Sequence, residues 1–473
     1  MNSSSSEPRE RESLSWATRP FVELIRLSWP ITVSMLSYSV MTLAGTLFVS
    51  SLGASALAGV GLGGTAAFAV LCFSFGLLRG VKVVVSQAVG AGQRHEVGAY
   101  LAAGLVIALV AGVVTIGAGE LLAPFMTLIA ATPESGADAR AYLEVRVLGA
   151  PLVLLFVALR EARYGVSDAR SPMIASVAGN AANLVLDYVL VIRLDQGVAG
   201  AAWGTVAGHF VEAGILFALQ SREGLRLSKI AVRHLAGVWR YGFPTAVQFM
   251  LEVGSFSVLA AMLASLSETE MAAHQIALQI IHLSFLPSLA VGEAASVLAG
   301  QAIGANRDDL VRVVARHGLW ASTVYTGSCS LAFVLAGTWI VSPFTTEPRL
   351  FVTALHLLWV AAIFQVFDGA NIIARGTLRG TGDVRYAAVI GIVTSWLLTP
   401  PFTWLLGYHF GLGALGGWIG LCAEIIIGSG LVWWRLERGG WRAAAREARR
   451  VLGSNRDGAP SIALATTEAE AAE

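Results

Sequence analysis

Charge is scarce in this chain, and its scarcity excludes several classes of protein. Only 13% of the 473 residues are charged, whereas 55% are hydrophobic and the mean hydropathy is +0.68. A soluble domain carries about 25% charged residues. So few charges cannot cover a surface that faces water, which makes lipid the main solvent. The net charge of +1 gives no reason to expect a nucleic-acid partner.

Cysteines and recognisable signals are also few. The three cysteines lie inside apolar runs, which argues against a disulfide framework and against a CxxC metal site. The N-terminal segment 1–27 is hydrophilic and lacks the apolar stretch of a cleavable signal peptide. No GxxxxGK[ST] or HExxH motif occurs, and no catalytic constellation is visible. We therefore expect no resident metal or cofactor, no drive by ATP within this chain, and no enzymatic activity.

Long apolar runs are what the chain does contain. A membrane-spanning helix needs about 20 mainly apolar residues, and twelve runs reach that length. The sequence therefore predicts an all-α polytopic membrane protein with twelve transmembrane helices. The runs cover roughly residues 28–51, 55–86, 97–119, 142–163, 172–193, 198–219, 241–265, 271–302, 314–341, 353–377, 386–407 and 411–434.

Positive charge is distributed unevenly between these runs. Alternate connections carry most of the arginines and lysines, as do both ends of the chain, while the other connections are poor in them. Because basic loops stay in the cytoplasm, the pattern predicts two cytoplasmic termini in a bacterial-type inner membrane. The predicted domains are an N-terminal arm (1–27), a first six-helix lobe (28–220), an inter-lobe linker (221–240), a second six-helix lobe (241–435) and a basic, then disordered, tail (436–473).

The two halves of the chain repeat each other. At an offset of 214 in the numbering, the segment SQAVGAG (86–92) falls on GQAIGAN (300–306). At an offset of 215, VSDAR (166–170) falls on TGDVR (381–385). A six-helix unit begins and ends on the same side of the membrane, so the repeats must be parallel, pseudo-symmetric lobes. That layout is typical of transporters with a substrate cleft between two rocking halves.

Six segments together carry a resemblance to a known family. They are SQAVGAG (86–92), GNAANLVLDYVLVI (179–192), GVAGAAWGT (197–205), YGFPTAVQFMLEVGSFSVLAAML (241–263), AAHQIALQI (272–280) and QVFDGANIIARGTLRGTGD (365–383). With these segments the chain resembles the multidrug and toxic compound extrusion (MATE) family, nearest its NorM-like branch. The resemblance implies two six-helix lobes around a V-shaped cleft, and export of amphiphilic, often cationic, small molecules coupled to H⁺ or Na⁺. We expect a monomer whose only partners are its substrate and the lipid bilayer.

Acidic residues inside apolar runs are candidates for cation coupling. A bare charge at mid-bilayer costs roughly 2.5–3.5 kcal/mol on insertion scales, so it needs a partner or a function. Glu252 lies near the middle of its run without a basic neighbour in sequence, and Asp368 lies midway along the tenth run. The resemblance implies that these two acids form the cation-coupling site. The alternatives are a hydrogen-bonded structural glutamate and a salt bridge from Asp368 to Arg375 or to another helix.

A second polar group lies in the first lobe. Asn180, Asn183 and Asp187 share one helix face by their spacing. The resemblance implies a polar site used in proton coupling or substrate contact. The alternative is interhelical hydrogen bonding, worth about 0.6 kcal/mol on average. The usual acidic residue of the family's first helix is replaced here by Gly45, which puts in doubt any coupling role at that position.

Two basic residues, Arg79 and Lys82, lie one turn apart inside the second apolar run. At the repeat offset, Arg79 falls on Glu293, and residues related by a pseudo-twofold axis can meet if they lie near it. One hypothesis is therefore an Arg79–Glu293 pair that closes the cytoplasmic side while the cleft opens outward. A second is that Arg79 and Lys82 bind an anionic group of the substrate. The third is snorkelling of both side chains towards the inner headgroups.

These features together predict a cation-coupled antiporter that works by alternating access of its two lobes. The main alternative is a flippase for a lipid-linked or other anionic substrate, which would use Arg79 and Lys82. A basic-lined cleft would favour the flippase, and an acidic, aromatic-lined cleft would favour drug export.

Overall fold

The computed structural model describes residues 14–222 and 227–456. Within those ranges the chain forms helices and turns, without strands. Twelve helical passes in this part of the chain are long and apolar enough to cross a membrane when the bent fourth pass is counted as one. The predicted all-α polytopic architecture with two six-helix lobes is thus confirmed. The helices are α1 (Pro20–Ser50), α2 (Ala54–Gly90), α3 (Arg94–Ile129), α4 (Pro133–Leu148 and Ala150–Gly165), α5 (Arg170–Arg193), α6 (Gly197–Arg222), α7 (Val232–Leu266), α8 (Glu268–Gly304), α9 (Asp308–Val341), α10 (Pro348–Thr381), α11 (Val384–His409), α12 (Ala414–Arg438) and α13 (Arg442–Arg456).

Two helices extend into segments that were predicted as the N-terminal arm and the inter-lobe linker. The first begins at Pro20, inside the predicted N-terminal arm, because proline suits the first helical turn, where an N–H has no intrahelical partner. Helix α7 begins at Val232, so part of the predicted linker (221–240) is helical. Arg233 and His234 in its first turn bond to Glu96 of α3, at 3.1 and 2.7 Å. Charged residues at this end extend the helix beyond its apolar run, which is why hydropathy placed the boundary too late.

The predicted tail (436–473) also begins with helix. Gly439 ends α12 in the left-handed conformation, with φ of 72°. The following helix, α13, is tied to the start of α9 by a 2.6 Å ion pair between Arg449 and Asp308. Residues 1–13 of the predicted arm, and the tail after residue 456, lie outside the described residues.

The fourth pass is bent by 49° between its two segments. Its break falls at Gly149, two positions before Pro151. Proline has no N–H to donate to the carbonyl four positions earlier, and its ring crowds that carbonyl. The pass therefore changes direction within the first lobe. It starts at Pro133, before the predicted residue 142, where Thr132 caps the helix.

Backbone geometry supports the repeat independently of side-chain identity. Gly92 and Asn306, at an offset of 214, both have positive φ, of 71° and 60°. Ser167 and Gly382, at an offset of 215, share this feature, with φ of 65° and 91°. The far ends of α5 and α11 also widen into π-helix, at Tyr188–Arg193 and Thr403–His409. Equivalent turns and helix endings thus recur in the two lobes.

The lobes contact each other on one side of the membrane. We call it the terminal side, because α1 begins there and α12 ends there. At this end α2 and α8 cross closely, since a Cβ at Gly90 or Gly304 would overlap the backbone of the other helix. Gln87 donates to the carbonyl of Gly380 at 3.0 Å, and Gln301 donates to that of Gly165 at 3.2 Å. This symmetric pair of hydrogen bonds joins each lobe to the other.

Burial along α2 follows the same division. Residues 76–90 are buried apart from half-buried Arg79 and Val89, whereas residues 54–75 alternate between buried and exposed positions. The terminal-side half of α2 is thus packed between the lobes, and its other half is more open.

Candidate functional site

The second lobe brings three acidic side chains and one arginine into a single region. Glu252 comes from α7, Asp368 and Arg375 from α10, and Glu424 from α12. An ion pair of 2.7 Å joins Arg375 Nη1 to Glu252 Oε1, and Gln248 Nε2 donates to the same oxygen at 2.9 Å. The three acids are called the C-lobe site below.

This ion pair corrects the sequence-based view of Glu252. No basic residue is near it in sequence, but α10 places Arg375 against it. The Arg375 side chain is 12% exposed and that of Glu252 is 25% exposed, so both lie largely inside the protein. The guanidinium occupies one carboxylate oxygen of Glu252, so a cation arriving at Glu252 has to compete with it.

Asp368 differs from Glu252 in having no partner among the described residues. Its half-buried carboxyl group makes no hydrogen bond or ion pair to any residue that the structure describes, and it lies in electrostatic range of Arg375 and Glu252. The alternative of an Asp368–Arg375 salt bridge is wrong in this conformation, because Arg375 points to Glu252. Two buried amides on the same helix, Gln365 and Asn371, also have atoms without a hydrogen-bond partner among the described residues. An unpartnered carboxylate in this setting can take up a proton or a cation.

Glu424 completes the region. It accepts a hydrogen bond from Thr399 of α11 and lies in electrostatic range of Glu252, Asp368 and Arg375. Nothing in its local sequence marks Glu424 as part of this region. Its proximity depends on the packing of α12 against α10 and α11, which no local pattern reveals. Within the described ranges, no three His, Cys, Asp or Glu side chains converge as a metal centre would require.

The first lobe arranges its polar residues differently. Asn183 Nδ2 lies 3.3 Å from both Asp187 Oδ1 and Thr205 Oγ1, and Asn180 donates to Ser37 at 2.7 Å. The residues Asn180, Asn183 and Asp187 are called the N-lobe site below. Asn183 and Asp187 bond to each other, and Asn180 and Asn183 bond to neighbouring helices.

Two neighbours of Asp187 complete the picture of the N-lobe site. Gly45 of α1 faces it, so the position where the family's acid is replaced lies directly opposite Asp187. Arg146 of α4 lies in electrostatic range of Asp187, although its place inside an apolar run gave no sign of this contact. Asp187 is therefore the acid that faces Gly45, and the amide of Asn183 lies beside it.

The third predicted group lies where the lobes meet. Lys82 contacts Glu293 directly, and Arg79 Nη2 lies 3.6 Å from Glu293 Oε1. Lys82 Nζ is also 3.4 Å from Glu161, which accepts from Arg160 at 3.0 Å. We call these five residues the interlobe ion-pair cluster.

The cluster bears on two of the three hypotheses for the basic residues in α2, the ion pair and snorkelling. The Lys82 side chain is only 4% exposed and that of Arg79 is 27% exposed, so snorkelling to the headgroups is wrong for this conformation. The Arg79–Glu293 contact expected from the repeat offset is present. Lys82 is nevertheless the closer partner, and Glu161 and Arg160 were not anticipated.

Comparison with known protein families shows which family shares this architecture. The model of the MatE family matches the chain twice, at residues 30–189 and 244–405. The chain belongs to the MatE family. The two matched segments start at residues 30 and 244, which differ by the same offset of 214 as the internal repeat. Membership in this family makes the chain a multi-pass membrane transporter.

Similar proteins extend over nearly the whole chain. It is 30% identical over 452 residues to the probable multidrug resistance protein NorM of Pseudomonas syringae pv. tomato, covering 91% of this chain and 97% of that one. A protein of the same name from Thermotoga maritima is 27% identical, with 91% and 96% covered. The NorM-like branch predicted from the sequence is thus confirmed.

Solved structures show the same fold. A MOP superfamily transporter from Pyrococcus furiosus superposes with a TM-score of 0.83 at 21% identity, covering 90% of this chain and 98% of that one. A multidrug resistance MATE family transporter, described as outward-facing, superposes with a TM-score of 0.82 at 21% identity, covering 90% and 97%.

Proposed function

We propose that this MatE-family transporter is a cation-coupled antiporter that exports amphiphilic, mainly cationic, small molecules. The observation that carries the proposal is Asp368, a carboxylate without a described partner beside the Glu252–Arg375 ion pair in the core of the second lobe. An acid without a partner in a membrane protein is costly unless it binds something. A proton or Na⁺ is the ligand that such a site can take up and release.

The coupling step follows from competition between cations. Arg375 neutralises Glu252 in this conformation, while Asp368 remains available. When H⁺ or Na⁺ binds to Asp368, it neutralises that carboxylate, which then no longer attracts Arg375. Binding there and substrate binding in the cleft then favour different arrangements of the two lobes, which is the condition for coupled exchange.

The contact between the lobes supports alternating access. The interlobe ion-pair cluster and the two glutamine hydrogen bonds hold the terminal side closed. With both termini in the cytoplasm, as the distribution of positive charge predicts, this is the state that faces outward. Breaking the same contacts would open the path from the cytoplasm.

The substrate class rests on the relatives. Two of them carry the name multidrug resistance protein NorM, and their similarity covers nearly the full chain. The flippase alternative needed Arg79 and Lys82 to line a wide basic cleft. In this structure both contact Glu293 instead, so no observation favours that reading.

Transport by the purified protein in proteoliposomes tests the proposal. A fluorescent cationic dye serves as substrate, and a proton gradient or a sodium gradient is imposed separately. We expect dye movement driven by at least one of the two gradients, and loss of that drive in the Glu252→Gln, Asp368→Asn double variant. Transport that ignores both gradients, or that the double variant retains in full, would contradict the proposal.

A further inference from the structure

The interlobe contact contains a small pocket that the transport mechanism above does not use. It is lined by residues of α2, α7, α8 and α10, so both lobes contribute to its wall. The pocket is small and partly open, with room for one water molecule or one small ion. The lining residues are Arg79, Lys82, Val83, Thr245, Glu293, Ser296, Gly376 and Arg379.

Positive charge around this pocket exceeds negative charge. Arg79, Lys82 and Arg379 line it, and Glu293 is the acid among its described lining residues. The neighbouring acid Glu161 is shared between Lys82 and Arg160. Counting Arg160 and Glu161, four cations of the described chain face two carboxylates, an excess of two positive charges. A buried excess of charge is costly unless a counter-ion or hydrogen bonds offset it.

Arg379 shows most clearly that negative partners are too few around the pocket. Its Nη2 donates to the neutral amide oxygen of Gln248 at 3.1 Å, and its buried Nε has no hydrogen-bond partner within the described ranges. It lies in electrostatic range of two like charges, Arg79 and Arg375. Glu293, also within that range, is already engaged by Lys82. The guanidinium therefore has unused donors at the edge of the pocket.

Ser296 supplies a second unused donor. It is 3% exposed, lines the same pocket from α8, and its hydroxyl group has no hydrogen-bond partner in the part of the chain that the structure describes. A serine at this depth in a helix commonly bonds to a carbonyl of the preceding turn. A free hydroxyl beside a cationic pocket is instead available to a bound anion.

We propose that this pocket binds a small monatomic anion, of the size of chloride or bromide. Arg379, Arg79 and Ser296 provide the donors, and the limited space excludes phosphate or carboxylate groups attached to a larger molecule. Because α2 and the helices of the second lobe close the pocket together, the anion binds only while the terminal side is closed. It therefore stabilises this conformation, by a free energy that grows with the anion concentration relative to its dissociation constant.

Thermal unfolding of the purified full-length protein in detergent tests the site. Sodium chloride is titrated against sodium gluconate at constant sodium and constant ionic strength, so the coupling cation does not vary. We expect a saturable rise in Tm with chloride, reproduced by bromide and not by gluconate, acetate or phosphate. An equal rise with those larger anions, or no anion-specific rise in the folded wild type, would overturn the proposal.

Variants locate the effect. Arg379→Gln should raise the chloride concentration at half-effect at least about tenfold, and Ser296→Ala about threefold or more. Arg316→Gln is the matched control, because Arg316 is an exposed arginine paired with Glu437 away from the pocket. If the Arg379→Gln protein is not monodisperse, the chloride response of the Ser296→Ala protein decides whether the anion binds in this pocket. Chloride responses unchanged in the folded variants would contradict the assignment.

The halide assay is independent of transport. Asp368→Asn removes the proposed coupling acid and should leave the chloride response unchanged, since Asp368 does not line the pocket. Failure of the anion site would therefore leave the antiport proposal intact, and the reverse also holds. Diffraction from bromide-soaked crystals provides a direct check, with an anomalous peak expected between Arg379 and Ser296.

Discussion

The two lobes retain an arginine at equivalent positions of the repeat and use it differently. Arg375 reaches across from α10 to Glu252 on α7, at 2.7 Å, within the second lobe's acidic region. Its counterpart at the repeat offset, Arg160, pairs with the adjacent Glu161 at 3.0 Å. Glu161 in turn approaches Lys82 of the interlobe contact. One arginine faces the candidate coupling acids, and the other supports the closure between lobes.

The acidic residues of the two lobes also differ in number and in partners. The C-lobe site has three carboxyl groups, of which Asp368 has no described partner. The N-lobe site has Asp187 alone, held by Asn183 and facing Gly45. A duplicated scaffold has thus kept its helices and turns while the ionisable residues changed. We infer that cation coupling is concentrated in the second lobe, and four groups of substitutions test the difference between the lobes.

The largest effect is expected from Asp368→Asn. The substitution keeps the shape of the side chain and removes its charge, so cation-driven dye transport should fall at least about tenfold. The matched change in the first lobe, Asp187→Asn, should cost less than about threefold by the same measure. Equal losses in the two variants would remove the proposed asymmetry between the lobes.

Lys82→Met should have the next largest effect, on stability and conformation. It leaves Glu293 buried without its closest partner, and removing one member of a buried ion pair costs about 3–5 kcal/mol. We expect a lower Tm, together with larger distances between spin labels placed across the lobes on the terminal side. Lys82→Arg is the control that keeps the charge. Unchanged distances in a folded Lys82→Met protein would show that the cluster does not hold the lobes together.

The paired arginines provide a third test. Arg375→Gln removes the guanidinium that competes with the coupling cation for Glu252. It should raise the affinity for that cation about threefold or more, without altering the interlobe distance. Arg160→Gln should alter the interlobe distance and leave the affinity for the coupling cation unchanged, because its partner Glu161 belongs to the interlobe ion-pair cluster. Cation-binding titrations and spin-label distances measure the two effects separately. Identical behaviour of the two variants would refute the division of roles.

The smallest effects are expected at Gly45. A Cβ there would lie 3.4 Å from Asp187 Oδ2, which is an ordinary contact. Gly45→Ala should therefore change stability by no more than about 1 kcal/mol, the difference in helix propensity between the two residues. Gly45→Asp should be less stable than Gly45→Ala at alkaline pH, because two like charges would meet. Thermal unfolding at alkaline and acidic pH checks both variants, and the difference between them should shrink in acid.

The sequence predicted the helices and the lobes because long apolar runs and a constant repeat offset carry that information directly. It also placed Arg79 near Glu293, since the pseudo-twofold axis relates those positions. It missed the closer Lys82–Glu293 contact and the Glu252–Arg375 pair, which depend on the rotation and depth of separate helices. A sign of the second pair was available, because Arg160 and Arg375 coincide at the repeat offset.

The central claim concerns where the coupling cation binds, and substrate-induced cation release tests it most directly. Purified protein loaded with H⁺ or Na⁺ in detergent is mixed with a cationic drug, and the released ion is counted per molecule. The account predicts release from the wild type and from Asp187→Asn, and none from the Glu252→Gln, Asp368→Asn double variant. Release that persists in the double variant and disappears in Asp187→Asn would place coupling in the first lobe and contradict the account.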